Sequence, residues 1–372
     1  MSDPKLFQSD NLDDELIRDM RDSVHDDLAA VELLLSQLEC SPDNTERVHE
    51  LFRIIHTIKG NCRMAGITPL AEYVHAIEDV ISELRKGRVA LDDMLAEAIL
   101  LGLDQIKLAV DSPYVSQCFG YDQLPEISAT FEKLRDETGA AFTDTVHELI
   151  DLLGGGWDTK QLQPAERVPA PIPPGHDPSN DDLPFFMSMA EKLDRLTPYW
   201  ENRTNSLLDI AHAINSILPE PVDTEQLSTA VLMHDVGIAF LPPRLLEKRE
   251  KLTSMEIKQI QDHARIGYEW PHRIPGWESA TLMVLEHHER PDGNGYPRGL
   301  QDSEISAGAK ILAVADSFYA ITNERADRNY KRSILRAITE INGYRGSQFS
   351  DETVEAFNTA VRTLYVNRDS DP

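Results

Sequence analysis

One stretch limits the possible folds more than any other. Between residues 160 and 184 the chain reads KQLQPAERVPAPIPPGHDPSNDDLP, with prolines recurring through a polar, aperiodic sequence. Proline removes a backbone donor and clashes with the preceding helical turn, so this stretch excludes a continuous helix; it reads as an extended, semi-stiff linker. The expected division is a helical bundle over 1–155, a linker over 156–184 and a second helical domain over 185–372. A length of 372 residues suits this, since domains usually hold about 100–200 residues.

Both flanks carry helical periodicity. In the first half Leu51, Ile55, Ile58 and Cys62 form one apolar stripe, and Leu70, Val74, Ile77 and Ile81 another. Short breaks (SPDN at 41–44, GITP at 66–69, KGRVAL at 86–91, DSPY at 111–114) separate the helices, and Pro69 suits a helix start. Long helices with short connections predict an antiparallel bundle. Periodicity resumes near 184 and runs almost to the end without strand-like alternation. The expected class is all-α in both halves.

The formal net charge is −28, which argues against nucleic acid or an anionic membrane as a partner. Any anionic ligand then needs a locally cationic pocket. Cys40, Cys62 and Cys118 are far apart and odd in number, as in a chain that stays in a reducing cytoplasm. The N-terminus lacks the basic and apolar regions of a signal peptide, and no apolar run approaches the ~20 residues that span a bilayer.

Segment 51–66, LFRIIHTIKGNCRMAG, puts His56, Lys59 and Gly60 on one helical face beside the core stripe. An exposed imidazole oriented through one nitrogen can take a phosphoryl group on the other. A nearby lysine would neutralise the phosphate, and a glycine would let a partner come close. The plain alternative is a bundle with an exposed histidine. HTIKG, with EYVHAIEDVI at 72–81, resembles the histidine phosphotransfer (HPt) domain, especially that of chemotaxis-type histidine kinases. The resemblance covers roughly 10–140. It implies His56 as phosphoacceptor, Lys59 as the phosphate's partner and Glu78 as the carboxylate orienting His56, with His75 one turn away. With no ATP-binding region following, the phosphate should come from a separate histidine kinase through a response-regulator receiver domain.

Four blocks carry chemistry in the second half: LMHDVG at 232–237, DHARIG at 262–267, EHHERPDGNGYPRGL at 286–300 and ILAVADSFYAI at 311–321. The adjacent His234 and Asp235 let one carboxylate bridge two metals. His263, His287 and His288 can complete one shell, and Asp316 can close the other. Mixed nitrogen and oxygen donors suit divalent first-row ions, and paired ions suit phosphodiester hydrolysis. Taken singly, these would be surface histidines and a helix-capping carboxylate. Together with RGSQFSDETVEAF at 345–357, the blocks resemble the HD-GYP family of the HD phosphohydrolase superfamily, from about 195 to 360. The resemblance implies two iron or manganese sites, cyclic di-GMP as substrate with the linear dinucleotide pGpG as product, catalytic Asp235, and phosphate-binding Arg325 and Arg328.

The chain departs from the family in two places. Where the family has a glutamate and a histidine four apart, one register gives Tyr199 and Arg203, and the ungapped register gives Pro198 and Asn202. His212 lies on the opposite helical face, about 13 Å along the axis from Arg203. Ile238 replaces the family lysine. A first ion would keep His234, Asp235 and Asp316 but lose one nitrogen, while the set Asp235, His263, His287 and His288 is complete. Two other readings stay open: a domain that binds nucleotide or a GGDEF-type partner without turnover, and a phosphohydrolase for another nucleotide.

Overall fold

A computed structural model describes residues 14–41, 44–112, 121–155, 182–200, 202–246, 248, 252–269, 271–324 and 331–365. The chain divides into two compact units, 1–159 and 160–372. Most of the stretch read as linker lies outside the described residues. Its last three residues, Asp182 to Pro184, form the first turn of a helix, where proline's missing N–H would have no partner in any case.

The first unit contains α1 (Asp14–Cys40), α2 (Thr45–Met64), α3 (Thr68–Arg85), α4 (Asp93–Asp111), α5 (Leu124–Leu134) and α6 (Ala140–Leu153). Helix α1 packs on α2, α2 on α3, α3 on α4 and α4 back on α1, closing a four-helix ring; α5 and α6 cover α3 and α4. Both apolar stripes are fully buried, from Leu51 to Cys62 and from Leu70 to Ile81. Capping sets the helix starts: Asn44 accepts from the Arg47 amide at 3.1 Å, and Asp92 from the Leu95 amide at 2.8 Å. At the end of α2, Gly66 takes φ +75°. This lets the Ile67 amide reach back to the Cys62 carbonyl at 3.0 Å, so the chain turns directly into α3.

The second unit contains α7 (Asp182–Leu193), α8 (Arg203–Asn215), α9 (Thr224–Met233), α10 (Pro243–Leu246), α11 (Ser254–Gln261), α12 (His263–Glu269), α13 (Glu278–Glu286), α14 (Ala307–Thr322), α15 (Ile334–Gly343) and α16 (Asp351–Tyr365). Helix α8 is the hub, packed by α9, α14 and α16. Leu207, Ile210 and Ile214 of α8 are buried with Leu227 and Val231 of α9, Leu312 of α14, and Phe357 and Val361 of α16. Among the described residues there is no strand, and no described helix is long and apolar enough to cross a membrane.

Gly237, in the 3₁₀ turn after α9, has no room for a side chain. A Cβ there would meet the His263 carbonyl oxygen at 2.1 Å. Gly237→Ala should therefore destabilise this unit by about 1–3 kcal/mol, the usual cost of overpacking, and should loosen His263. A urea midpoint unchanged from wild type would show that the two segments separate freely.

Candidate functional sites

In the first unit, His56 lies on the exposed side of α2, beside the buried Ile55 and Ile58. Its side chain is 64% exposed, while Glu78, facing it from α3, is buried. His56 Nδ1 meets Glu78 Oε1 at 2.6 Å, the Lys59 ammonium donates to Glu78 Oε2, and His75 Nδ1 lies 3.1 Å from that same oxygen. Burial pushes the Glu78 carboxyl up, but hydrogen bonds from Lys59 and His56 outweigh it and hold the group below its ordinary value. An ionised Glu78 fixes the His56 proton on Nδ1 and leaves the Nε2 lone pair free on an exposed ring. Lys59, read from the resemblance as the phosphate's partner, is buried and donates inward to Glu78. At Gly60 a Cβ would meet nothing within 4 Å, so the space beside the histidine is open.

In the second unit, helix ends build the site. His234 directly follows α9, His287 directly follows α13, and His263 opens α12 after α11 has ended. The last carbonyls of a helix lack intrahelical partners, and these rings supply them. His234 Nδ1 donates to the Val231 carbonyl at 2.7 Å, His287 Nδ1 to Val284 at 2.7 Å, and His263 Nδ1 to Ile260 at 2.6 Å. Each bond fixes the tautomer and turns an Nε2 lone pair into the site. Asp316 comes from the middle of α14, and Asp235 from the turn after His234.

These groups fall into two clusters, His263–His287–His288 and His234–Asp235–Asp316. In the first, the Nε2 atoms of His263 and His287 stand 3.4 Å apart, and Asp235 Oδ1 lies 3.2 Å from His263 Nε2. With both Nδ1 atoms protonated, lone pairs face lone pairs there, and a cation placed between them relieves the repulsion. This donor set fits a divalent metal ion. Burial pushes His288 down to about 4 and holds His287 well below its ordinary value, as a ligand that must stay neutral requires. Burial also lowers His263, but the Asp235 carboxylate outweighs it and raises that ring.

The second cluster already holds a cation. Arg203 Nη2 donates to Asp235 Oδ2 at 2.5 Å and to Asp316 Oδ1 at 2.8 Å, and lies 2.7 Å from His234 Nε2. Burial alone would raise both carboxyls, yet both are held below their ordinary values. In both, the positive charge of Arg203 opposes burial. The His234–Asp235–Asp316 donors therefore do not fit a metal while this guanidinium is in place. In one register of the sequence Arg203 stands where the family has a histidine, and its side chain enters the site. The available signal was charge: a buried pair of aspartates beside an arginine that can never be neutral.

A cavity of about 290 Å³ opens beside His287 and His288, lined also by Arg290, Tyr296, Asp316 and Gln348 among others. The Tyr296 ring stacks on His288, with centroids 4.7 Å apart. Two buried carboxylates overlooked in the sequence fasten this loop to α13. Glu289 accepts from the Arg298 amide at 2.6 Å and the Leu300 amide at 2.9 Å, and Glu286 accepts from the Arg298 guanidinium and from the Ser306 amide at 2.9 Å. His212 is engaged elsewhere, with Nε2 2.8 Å from Ser228 Oγ, and Ile238 is buried. Arg325 and Arg328 lie outside the described residues.

Comparison with known proteins matches a family to each of the two units. The Hpt domain family matches residues 15–109, and the HD domain family matches residues 184–354. A cyclic di-GMP phosphodiesterase of Thermotoga maritima is 33% identical over 180 residues, covering 46% of this chain and 49% of that protein. The cyclic di-GMP phosphodiesterase response regulator RpfG of Xanthomonas campestris is 31% identical over 177 residues, covering 44% and 45%. The 3'3'-cGAMP-specific phosphodiesterase 1 of Vibrio cholerae is 25% identical over 316 residues, covering 77% and 67%. The chain spans about half the length of the first two.

Proposed function

We propose that this chain, which joins an Hpt domain to an HD domain of the HD-GYP type, couples phosphoryl transfer at His56 to metal-dependent hydrolysis of cyclic di-GMP. The observation that carries the hydrolytic reading is the three-histidine cluster at the edge of a cavity, with the His263 and His287 tautomers fixed by backbone carbonyls. Relatives named as cyclic di-GMP phosphodiesterases support the substrate. Adding water across one of the two phosphodiester bonds opens the ring and leaves pGpG with a terminal phosphate.

His263, His287 and His288, with Asp235 Oδ1, would hold the ion, and iron or manganese suits these donors. When bound, such an ion polarises a phosphoryl oxygen and makes hydroxide available near neutral pH. The chain supplies the rest. Backbone carbonyls aim the His263 and His287 rings, and burial favours the neutral form of His287 and His288. Tyr296 backs His288 at the cavity wall. Glu286 and Glu289 hold the 289–300 loop against α13, so the wall stays in place when an anionic ligand enters.

A second substrate has its own support, because the 3'3'-cGAMP-specific relative matches 77% of this chain. Comparing kcat/KM for cyclic di-GMP and 3'3'-cGAMP with the metal-loaded chain separates the two. The proposal expects cyclic di-GMP to be favoured, and a preference for the mixed dinucleotide would replace it. A GGDEF-domain partner remains an interaction to test by co-purification.

In the Hpt domain, we infer that His56 Nε2 attacks the phosphoryl group of a receiver domain's phosphoaspartate, while Glu78 holds the proton on Nδ1. A separate histidine kinase is the ultimate phosphate source. Glu78→Gln should slow transfer by about 10–100-fold, as the loss of a histidine's orienting partner does elsewhere, while His56 stays in place. The folded value of Glu78 is depressed, so its contribution to stability is complete above the unfolded value of about 4.3. It is lost as pH falls through the folded value. Acid unfolding should therefore depend less steeply on pH in Glu78→Gln, and an unchanged profile would remove Glu78 from this role.

A further inference from the structure

We propose that Arg203 is the permanent cation of the His234–Asp235–Asp316 cluster, so that this chain takes one metal ion where its sequence pattern has room for two. The guanidinium is placed by backbone structure. Asn202, at φ +53°, turns the chain so that Arg203 is the first residue of α8, and Asp194 accepts from the next amide, of Thr204, at 2.9 Å. The side chain is 7% exposed, with its Cζ 4.9 Å from the Trp200 ring centroid and 5.9 Å from that of Tyr319.

A metal bound by His234, Asp235 and Asp316 would need all three donor atoms about 2.0–2.2 Å away. Arg203 Nη2 stands where those atoms converge, so the two cations compete for one position. Arginine cannot vacate it by losing a proton. Leaving would break three short contacts and strand a buried charge. Asp235 then links two unlike cations, with Oδ2 on the guanidinium and Oδ1 facing the three-histidine ion. Arg203 is a positioning residue here: it holds Asp235 and Asp316 ionised and fixed, but can neither coordinate water nor change valence.

The test is metal content, read without substrate, so its outcome is independent of whether any nucleotide is hydrolysed. The full chain is loaded anaerobically with excess Fe(II) or Mn(II), desalted, and assayed by mass spectrometry for ions per chain. The wild type should hold one. His287→Ala/His288→Ala should hold none. Asp316→Asn and Arg203→Lys should keep one. Arg203→His, which removes the guanidinium and supplies an imidazole, should rise to two. A wild type with two ions or none, or an Asp316→Asn chain that loses an ion, overturns the proposal. These outcomes need no Arg203 variant to fold.

Discussion

Asp235→Asn should strip the HD domain of its ion and lower hydrolysis of cyclic di-GMP by at least about 100–1000-fold, the range seen when one well-placed electrostatic partner is removed. The substitution keeps the side chain's shape and removes its charge. Two things then fail together. His263, His287 and His288 lose the anionic oxygen that faces them, 3.2 Å from His263 Nε2. Arg203 loses its shortest contact, at 2.5 Å, and keeps its hydrogen bond to the Asp316 carboxylate. Breaking a buried ion pair from one side commonly costs about 3–5 kcal/mol, and the remaining aspartate puts the expected loss at the low end. Urea unfolding in the presence of a chelator reads this cost without contribution from bound metal. A variant that keeps its ion and most of its activity would mean that Asp235 does not join the two clusters.

His56→Gln should abolish the acid-labile phosphoryl label, with helix content and unfolding midpoint unchanged. The ring is 64% exposed; its contacts are Glu78 and a stacking partner, Phe52, at 6.3 Å. Glutamine keeps an amide to face Glu78 and offers no nucleophilic nitrogen. The experiment uses a phosphorylated receiver domain as donor and compares stability of the label in acid and alkali. Label surviving the substitution would place the phosphoacceptor elsewhere, with His75 the first alternative because it shares Glu78.

Much of this was legible in the sequence for a physical reason. The stripes at Leu51–Cys62 and Leu70–Ile81 predicted two packed helices, and both are buried. A tight turn at Gly66 then brings Glu78 opposite His56, though 22 residues separate them. The HD blocks likewise mark the clustered histidines, because His234, His263 and His287 each sit at a helix end that its own sequence sets. What stayed hidden depends on non-local geometry. Whether Arg203 points into the site or away from it turns on one left-handed residue, Asn202, and on where α8 begins. Glu286 and Glu289 read as ordinary acidic residues until the loop they fasten returns to α13. The carbonyls of Val231, Ile260 and Val284 fix three histidine tautomers, and no side-chain pattern reports a carbonyl.

Phosphorus NMR of cyclic di-GMP incubated with the metal-loaded full chain tests the central claim most directly. Hydrolysis predicts that the signal of the symmetric diester gives way to two, one diester and one terminal monophosphate, as pGpG forms. The change should be absent with His287→Ala/His288→Ala. An unaltered diester signal with the metal-loaded wild type, in a chain that still binds the nucleotide, would contradict the account and leave a binding domain in place of an enzyme.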